Sequence, residues 1–512
     1  MLVKAYSSTV SGIDGIIITV EVDASTGCIT TIVGLPDNAV KESYQRIRAA
    51  FYNTGMLPPS RNIVVNLAPA DIRKEGSHYD LPIAVGILGA SGSISSENIS
   101  KYVILGEMSL DGTVAPVKGA LPIAIATLNA GFEGLILPKE NAREAAVVQG
   151  IKVYGVDNIA QVVKILEGEA DIAPTIVNTR DEYFLNYDKF DIDFFDVKGQ
   201  GAAKRALEVA AAGGHNVILV GAPGSGKSML ASRMPTIMPP MTLSEALEAT
   251  KIHSVAGKVG TSGGLLPHRP FRSPHHTVSD VALVGGGSTP KPGEISLAHN
   301  GVLFMDEMPE FSRHALEVMR QPLEEREIEI SRANYTVRYP ANFMLLGAMN
   351  PCPCGYRTHP TKQCTCGAAA VQRYVSKISG PLLDRIDIHI EVFPVDVASM
   401  AARRSGEKSA DIRARVIAAR EVQIKRFEGT KVHCNAMMTP SMMEEHCAMD
   451  EATSDMLRAA MSKFELSARA YDRIVRVART IADLAGEQNI GADHIAEAIG
   501  YRSIDRANWI TF

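Results

Sequence analysis

Asn216-Val-Ile-Leu-Val220 runs directly into Gly221-Ala222-Pro223-Gly224-Ser225-Gly226-Lys227-Ser228, and a helical stretch over 229–238 follows until Pro239-Pro240 stops it. An apolar strand, a glycine loop ending in Lys-Ser and a helix, in that order, restrict the surrounding chain to an α/β fold built on a parallel sheet. The glycines let backbone N–H groups turn inward around phosphate oxygens, and the helix N-terminus adds a favourable field for an anion. Lys227 would reach the β and γ phosphates of a nucleoside triphosphate such as ATP, and the Ser228 hydroxyl would ligate Mg²⁺. A chance glycine turn before a helix is the bland alternative. The matching strand and helix on either side argue against it.

Two further apolar runs extend that site. Val302-Leu-Phe-Met305 ends in Asp306-Glu307, so a buried strand delivers two carboxylates at its C-terminal tip, where open α/β sheets bind ligands. Asp306 suits a Mg²⁺ shell, and Glu307 suits the orientation of an attacking water. Taken alone, such a strand end reads as a strand leaving for solvent. Beside a phosphate loop it reads as the hydrolytic half of an ATPase. Residues 343–349 form a third apolar run ending in Asn350, placed either to sense the γ-phosphate or to open the turn at Pro351 for local reasons.

A chain of 512 residues exceeds one core, so two to four domains are expected. Residues 1–168 alternate short apolar runs (15–22, 63–67, 103–105 and 135–137) with helical stretches such as 37–52, which predicts a separate domain of mixed α and β structure. An acidic, irregular stretch over 169–195 reads as a linker. The ATPase block covers 196–395, and from 396 to 512 the periodicity is helical. A net charge of −5 excludes a protein that coats nucleic acid by charge alone, though not one with a local basic channel. No apolar run approaches the ~18 residues of a membrane span, and the opening MLVKAYSSTVSGIDG lacks a signal-peptide layout. With four of its seven Cys clustered over 352–366, the chain reads as cytoplasmic, in a reducing compartment.

Cys352-Pro-Cys354 and Cys364-Thr-Cys366 could close a tetrahedral, structural Zn²⁺ site from two short turns, although C-x-C is tighter than the commoner spacing; four reduced thiols in a loop are the alternative. Asp384-Arg385-Ile-Asp387 precedes another apolar run. Arg385 is the candidate to neutralise charge on a phosphoryl group of an adjoining subunit, or else a structural partner of Asp384 or Asp387. Arg469 opens a helical stretch and is expected to reach the nucleotide from a lid. Arg473, Arg476 and Arg479, at spacings of three, predict one solvated helix face. Signals for nucleic acid are thinner. Residues 253–276 carry Lys258, Arg269, Arg272 and four His without an acid, which suits a pore-facing loop. Ser331-Arg332-Ala-Asn-Tyr335 predicts a hairpin whose Arg332 and Tyr335 would grip phosphate and stack on a base, or a plain surface hairpin. Between Arg403 and Lys431, nine Lys/Arg stand against four Asp/Glu, a basic stretch that could equally be a solvated face.

In order, GLPDNAVKESYQRIRAA (34–50), NLAPADIRKEGSHYDLPIAVG (66–86), GQGAAKRALEVAAAGGHNVILVGAPGSGKS (199–228), RPFRSPHHTVS (269–279), NPCPCG (350–355), SGPLLDRID (379–387) and SARAYDRIVRVARTIADL (467–484) resemble the magnesium-chelatase-like AAA+ ATPases of the ComM/YifB type, over nearly the whole chain. The resemblance implies homo-hexameric rings, a helical lid after the ATPase core, an arginine finger at Arg385, sensor 1 at Asn350 and sensor 2 at Arg469. It further implies a DNA helicase that promotes branch migration on single-stranded or branched DNA during natural transformation and homologous recombination, with recombination proteins as further partners. A protein-remodelling ATPase and a chelatase-type motor subunit are the alternatives. The first domain is similar to the proteolytic domain of Lon-type proteases, a ribosomal S5 domain 2-like α+β fold. The positions of its Ser–Lys dyad fall here at Leu81-Pro82-Ile83 and at Leu121. Without a hydroxyl and an adjacent amine there is no activated nucleophile, so a scaffold is expected rather than a protease, with Lys74 and Ser77 a solvated loop pair.

Overall fold

The computed structural model describes the whole chain except residues 28, 170–171, 261–262, 288–289, 333–334, 395–405 and 503–512. It divides into two compact units, Met1–Leu185 with Ala246–Leu266, and Asn186–Glu245 with Pro267–Phe512. Residues 246–266, continuous in pattern with the ATPase block, group with the first unit.

The first unit is built on a seven-stranded sheet in the order Thr30–Val33, Asn62–Ala68, Asp14–Ser25, Leu2–Ser11, Tyr102–Ile104, Gly134–Pro138, Lys152–Val156. The long strands Leu2–Ser11, Asp14–Ser25 and Asn62–Ala68 pair antiparallel, and pairing is parallel from Leu2–Ser11 outward through Lys152–Val156. Ile18, Val20, Val22 and Ala24 alternate inward along one strand, the period of a sheet covered on that face. They meet the helix Asp80–Ser91, which is apolar nearly all round and buried through Ala90, as a helix inside a core must be. Leu81 in that helix and Leu121 in the helix Ala120–Asn129 are both fully buried. The two places that resemble a proteolytic dyad are therefore packed hydrocarbon. Lys74 departs from the solvated loop residue that its sequence context predicts. It is wholly buried, its ammonium donates to the Pro69 carbonyl, and burial lowers its pKa against the opposing pull of Asp71.

The second unit holds a five-stranded sheet, parallel throughout, in the order Phe271–Arg272, Val302–Met305, Met344–Met349, Val217–Val220, Ile388–Glu391. Every residue of its three central strands is buried, as in a sheet covered on both faces. The helices Gly201–Gly213, Ser409–Arg426, Glu451–Lys463, Ala468–Ala485 and Ala492–Gly500 contribute to one apolar core with the sheet. Helix Ala468–Ala485 corrects the expectation of a solvated arginine face. Arg479 is 1% exposed, bonded to Asp483 and to the carbonyls of Glu487 and Gln488, and Arg473 pairs with Asp387 at 2.8 Å. A cation leaves water this fully only when carboxylate and carbonyl acceptors receive it, and two buried aspartates do so here. Among the described residues, no helix is long and apolar enough to cross a membrane.

Candidate nucleotide site

The register of the parallel sheet brings three strand tips to one edge. Val220 pairs with Met349, and Met305 with Gly347, so Gly221, Asn350 and Asp306 emerge together. Gly221 has no room for a side chain: a Cβ would lie 2.2 Å from the Val392 carbonyl oxygen and 2.8 Å from Ser225 Oγ. Gly224 and Gly226 take φ of +77° and +95°, which non-glycine residues rarely adopt. The loop closes into the helix Lys227–Ser232. Lys227 Nζ turns back and donates to the carbonyls of Gly221 and Ala222 at 2.7 and 3.0 Å and to Asn350 Oδ1 at 3.2 Å. Burial lowers the pKa of this ammonium, and Asp306 and Glu307 draw it partly back.

Ser228 Oγ donates to Asp306 Oδ2 at 2.7 Å. This pair of oxygens, one hydroxyl and one carboxylate, has the hard donor character that Mg²⁺ requires. Glu307 stands at φ +50°, a left-handed backbone that costs a non-glycine residue about 1 kcal/mol or more and often marks a working site. Its N–H donates to Asp306 Oδ1 at 2.9 Å. The Glu307 carboxylate is half exposed, with His276 Nδ1 3.6 Å away. Lys227, Ser228, Asp306, Glu307 and Asn350 are thus gathered at one edge of the sheet.

Arg385 and Arg469 are not among them. Val217 pairs with Ile388 and Val220 with Glu391, so Arg385, which precedes that strand, lies at the opposite end of the sheet. Arg385 is 8% exposed, and its guanidinium is bonded to Glu324 and the Pro381 carbonyl, with no partner for Nε among the described residues. Arg469 is bonded to Asp384 at 3.4 Å. Together with Arg473 and Arg476, Arg385 and Arg469 line a cavity of about 170 Å³ that also presents Glu324, Asp384 and Asp472. The neighbouring Asp387 is held well below the usual carboxylate range: burial would raise it, but Arg473, His215 and the Asn216 N–H together outweigh that.

Two residues at the site and one at the far end of the loop strand were not singled out by pattern. His276 was legible only as one of four histidines in an acid-free stretch. Gln200, in a left-handed turn at φ +59°, donates to the carbonyls of Ser225 and Phe393 at 3.1 and 2.6 Å. Asn216, at the base of the loop strand, donates to the Arg385 carbonyl at 3.0 Å and accepts from the Leu345 N–H at 2.8 Å. Nothing local in the sequence marks those last two.

The four cysteine sulfurs lie within 4.8 Å of one another. Cys352–Cys354, Cys352–Cys364 and Cys354–Cys364 are separated by 3.4, 3.7 and 3.6 Å, far beyond an S–S bond. A tetrahedron with Zn–S bonds of about 2.3 Å has edges of about 3.8 Å. The donor set and its spacing fit zinc.

The basic segments expected to face nucleic acid are largely engaged within the chain. Arg269 pairs with Glu245 and the carbonyls of Pro239 and Asn300, and Arg272 with Glu294. Arg415 pairs with Glu208 and Glu407, Arg420 bonds the carbonyls of Ala211 and Ala212, and Arg426 pairs with Asp483. Arg403 and Arg404 lie outside the described residues. Strands Glu327–Arg332 and Tyr335–Pro340 do form an antiparallel hairpin; its turn, 333–334, and the placement of the Arg332 and Tyr335 side chains lie outside what is described.

Comparison with known families matches residues 193–400 to the description "Magnesium chelatase, subunit ChlI", 20–141 to "Subunit ChlI of Mg-chelatase" and 406–502 to "Magnesium chelatase, subunit ChlI C-terminal". Competence protein ComM of Haemophilus influenzae is 42% identical over 508 residues, covering 99% of this chain and 98% of that protein. The uncharacterized protein YifB of Salmonella typhimurium is 40% identical over 508 residues, with the same coverage of both chains. Lon protease 2 of Bacillus subtilis is 28% identical over 123 residues, 24% of this chain and 22% of that protein. With the phosphate loop, the acidic strand end and full-length identity in agreement, the chain belongs to the ComM/YifB family of magnesium-chelatase-like AAA+ ATPases.

Proposed function

We propose that this chain is the subunit of a hexameric, ATP-driven DNA helicase that promotes branch migration in natural transformation and homologous recombination. The ring rests on one observation, the position of Arg385. Its strand runs in parallel register with the strand that carries the phosphate loop. Four residues at ~3.3 Å each separate the two ends of the sheet, beyond the reach of one guanidinium. A phosphate that meets Arg385 therefore belongs to a neighbouring copy, and a head-to-tail contact of that kind, repeated, builds a ring when its rotation closes. Arg469 shares its cavity and acts on the same neighbour rather than on the nucleotide of its own chain.

Within one subunit, Lys227 lies against the β and γ phosphates of ATP while Ser228 and Asp306 hold Mg²⁺. Bound Mg²⁺ neutralises charge on the phosphate oxygens. Asn350 steadies Lys227, and Glu307 orients the attacking water. The Glu307→Gln variant is expected to bind ATP and to hydrolyse it roughly 10²–10⁴-fold more slowly, read in single-turnover assays. Brisk turnover there would assign the water to another group, His276 being the first to examine. In this reading 196–395 is the core and 396–512 the lid, while 1–168, joined through 169–195, is a platform without proteolytic chemistry. Zinc on Cys352, Cys354, Cys364 and Cys366 is structural, since four thiolates leave no open position. All six described cysteines are free, which suits the cytoplasm.

DNA as the track is supported by the competence relative and by the hairpin Glu327–Pro340 region of the second unit. ATPase rate should be measured with no addition, single-stranded DNA, branched DNA, unfolded protein, and porphyrin. Stimulation by branched DNA, with strand movement in a gel assay, is the expected result. Stimulation by unfolded protein alone would replace the helicase with a protein-remodelling motor.

A further inference from the structure

Between Met349 and Ala368 the described residues form neither helix nor strand, yet this segment meets the phosphate loop at two points. Asn350 Oδ1 accepts a hydrogen bond from Lys227 Nζ at 3.2 Å. Gly355, at φ +80°, lies so close to the loop that a Cβ would sit 2.6 Å from Pro223 Cδ and 2.7 Å from Cγ. Cys352 and Cys354 stand between these two points, in a turn closed by the Gly355 N–H on the Cys352 carbonyl at 3.0 Å. Facing their sulfurs are Cys364 and Cys366.

We propose that the four thiolates hold a zinc-class divalent ion as a clamp on the phosphate loop, so that metal binding and nucleoside triphosphate binding reinforce one another. The inference deepens the ATPase and zinc readings above and rests on both. Cross-linking the two Cys-x-Cys turns fixes residues 350–355, because a metal–thiolate centre orders a loop that has little other secondary structure to order it. That fixed segment presses Gly355 on Pro223 and holds the Asn350 oxygen where Lys227 needs it. Without the ion, the segment gains conformational freedom, and the cation that must face the phosphates loses one of its three positioning acceptors. Thermodynamic linkage then requires nucleotide to tighten metal by the same factor that metal tightens nucleotide.

The test uses the full-length chain and a non-hydrolysable fluorescent ATP analogue with Mg²⁺. Metal content is expected at one zinc per chain. Stripping with a chelator should weaken the analogue about tenfold, the scale of one hydrogen bond to a charged group, and zinc alone should restore it. Gly355→Ala should keep its zinc and still bind the analogue about tenfold more weakly, since its Cβ displaces Pro223. In the parent chain, the analogue should slow zinc transfer to a chromophoric chelator by a similar factor. Unchanged affinity in stripped but folded protein overturns the clamp and leaves both underlying readings intact. Should stripping unfold the chain, unaltered affinity in Gly355→Ala together with unaltered transfer kinetics overturns it instead. A purified chain that neither carries nor takes up metal removes the zinc reading and the clamp with it. A metal-loaded chain with no affinity for the analogue removes the ATPase reading.

Discussion

Lys227→Ala is expected to abolish ATP turnover, by at least roughly 10²–10³-fold, the loss that follows removal of one preorganised donor at a transition state, and to weaken ATP binding as well. Lys227 is 8% exposed and rooted at the first turn of the helix Lys227–Ser232. Its ammonium is gathered over the loop by two carbonyls and Asn350. The fold should survive the change. Burial already works against this charge, and Pro223 and Gly224 beside the two carbonyls it leaves are exposed. The unfolding free energy is accordingly expected within about 1 kcal/mol of the parent. Turnover by phosphate release and stability by thermal melt separate the two effects. A variant that melts like the parent and still hydrolyses ATP at the parent's rate would mean the loop holds phosphate by its backbone alone.

Most of that pocket was legible in the chain because it is local. Residues 217–220 and 302–305 are uninterrupted apolar runs, each followed at once by its functional residues, and the strands Val217–Val220 and Val302–Met305 fall on them. A strand buried on both faces advertises itself. Leu2–Ser11 does not: it reads LVKAYSSTVS and buries Ser7 and Ser8 alongside Val3 and Ala5, so small polar residues occupy places where periodicity looks for apolar ones. Long-range pairing was equally hidden. Arg473 looks like a surface cation until Asp387, 86 residues earlier, claims it. Arg269 looks free for a pore until Glu245, 24 residues earlier, claims it. The edge of the sheet that Arg469 would approach depends on how the helix Ala468–Ala485 packs, and nothing in its own sequence decides that.

Arg385→Ala is expected to leave ATP binding near the parent level and to lower turnover by about 10³-fold or more, the range seen when a guanidinium is withdrawn from a transferring phosphoryl group. Lysine is not expected to rescue it, because a point charge lacks the planar fork. Loss of activity alone would also follow from a collapsed cavity, so the decisive measurement mixes two inactive proteins. In Lys227→Ala the phosphate loop is disabled and Arg385 is intact; in Arg385→Ala the reverse holds. If Arg385 serves the neighbour, a mixed ring contains junctions where an intact loop meets an intact guanidinium. In an equimolar random mixture about a quarter of head-to-tail junctions qualify, and ATPase activity should return to a corresponding fraction of the parent, rising and falling with the mixing ratio. If Arg385 served its own chain, every active centre in the mixture would lack one group and the rate would stay at the level of the single variants. The parallel register of Val217–Val220 with Ile388–Glu391 sets Arg385 and its own loop at opposite ends of the sheet, so the first result is the one expected.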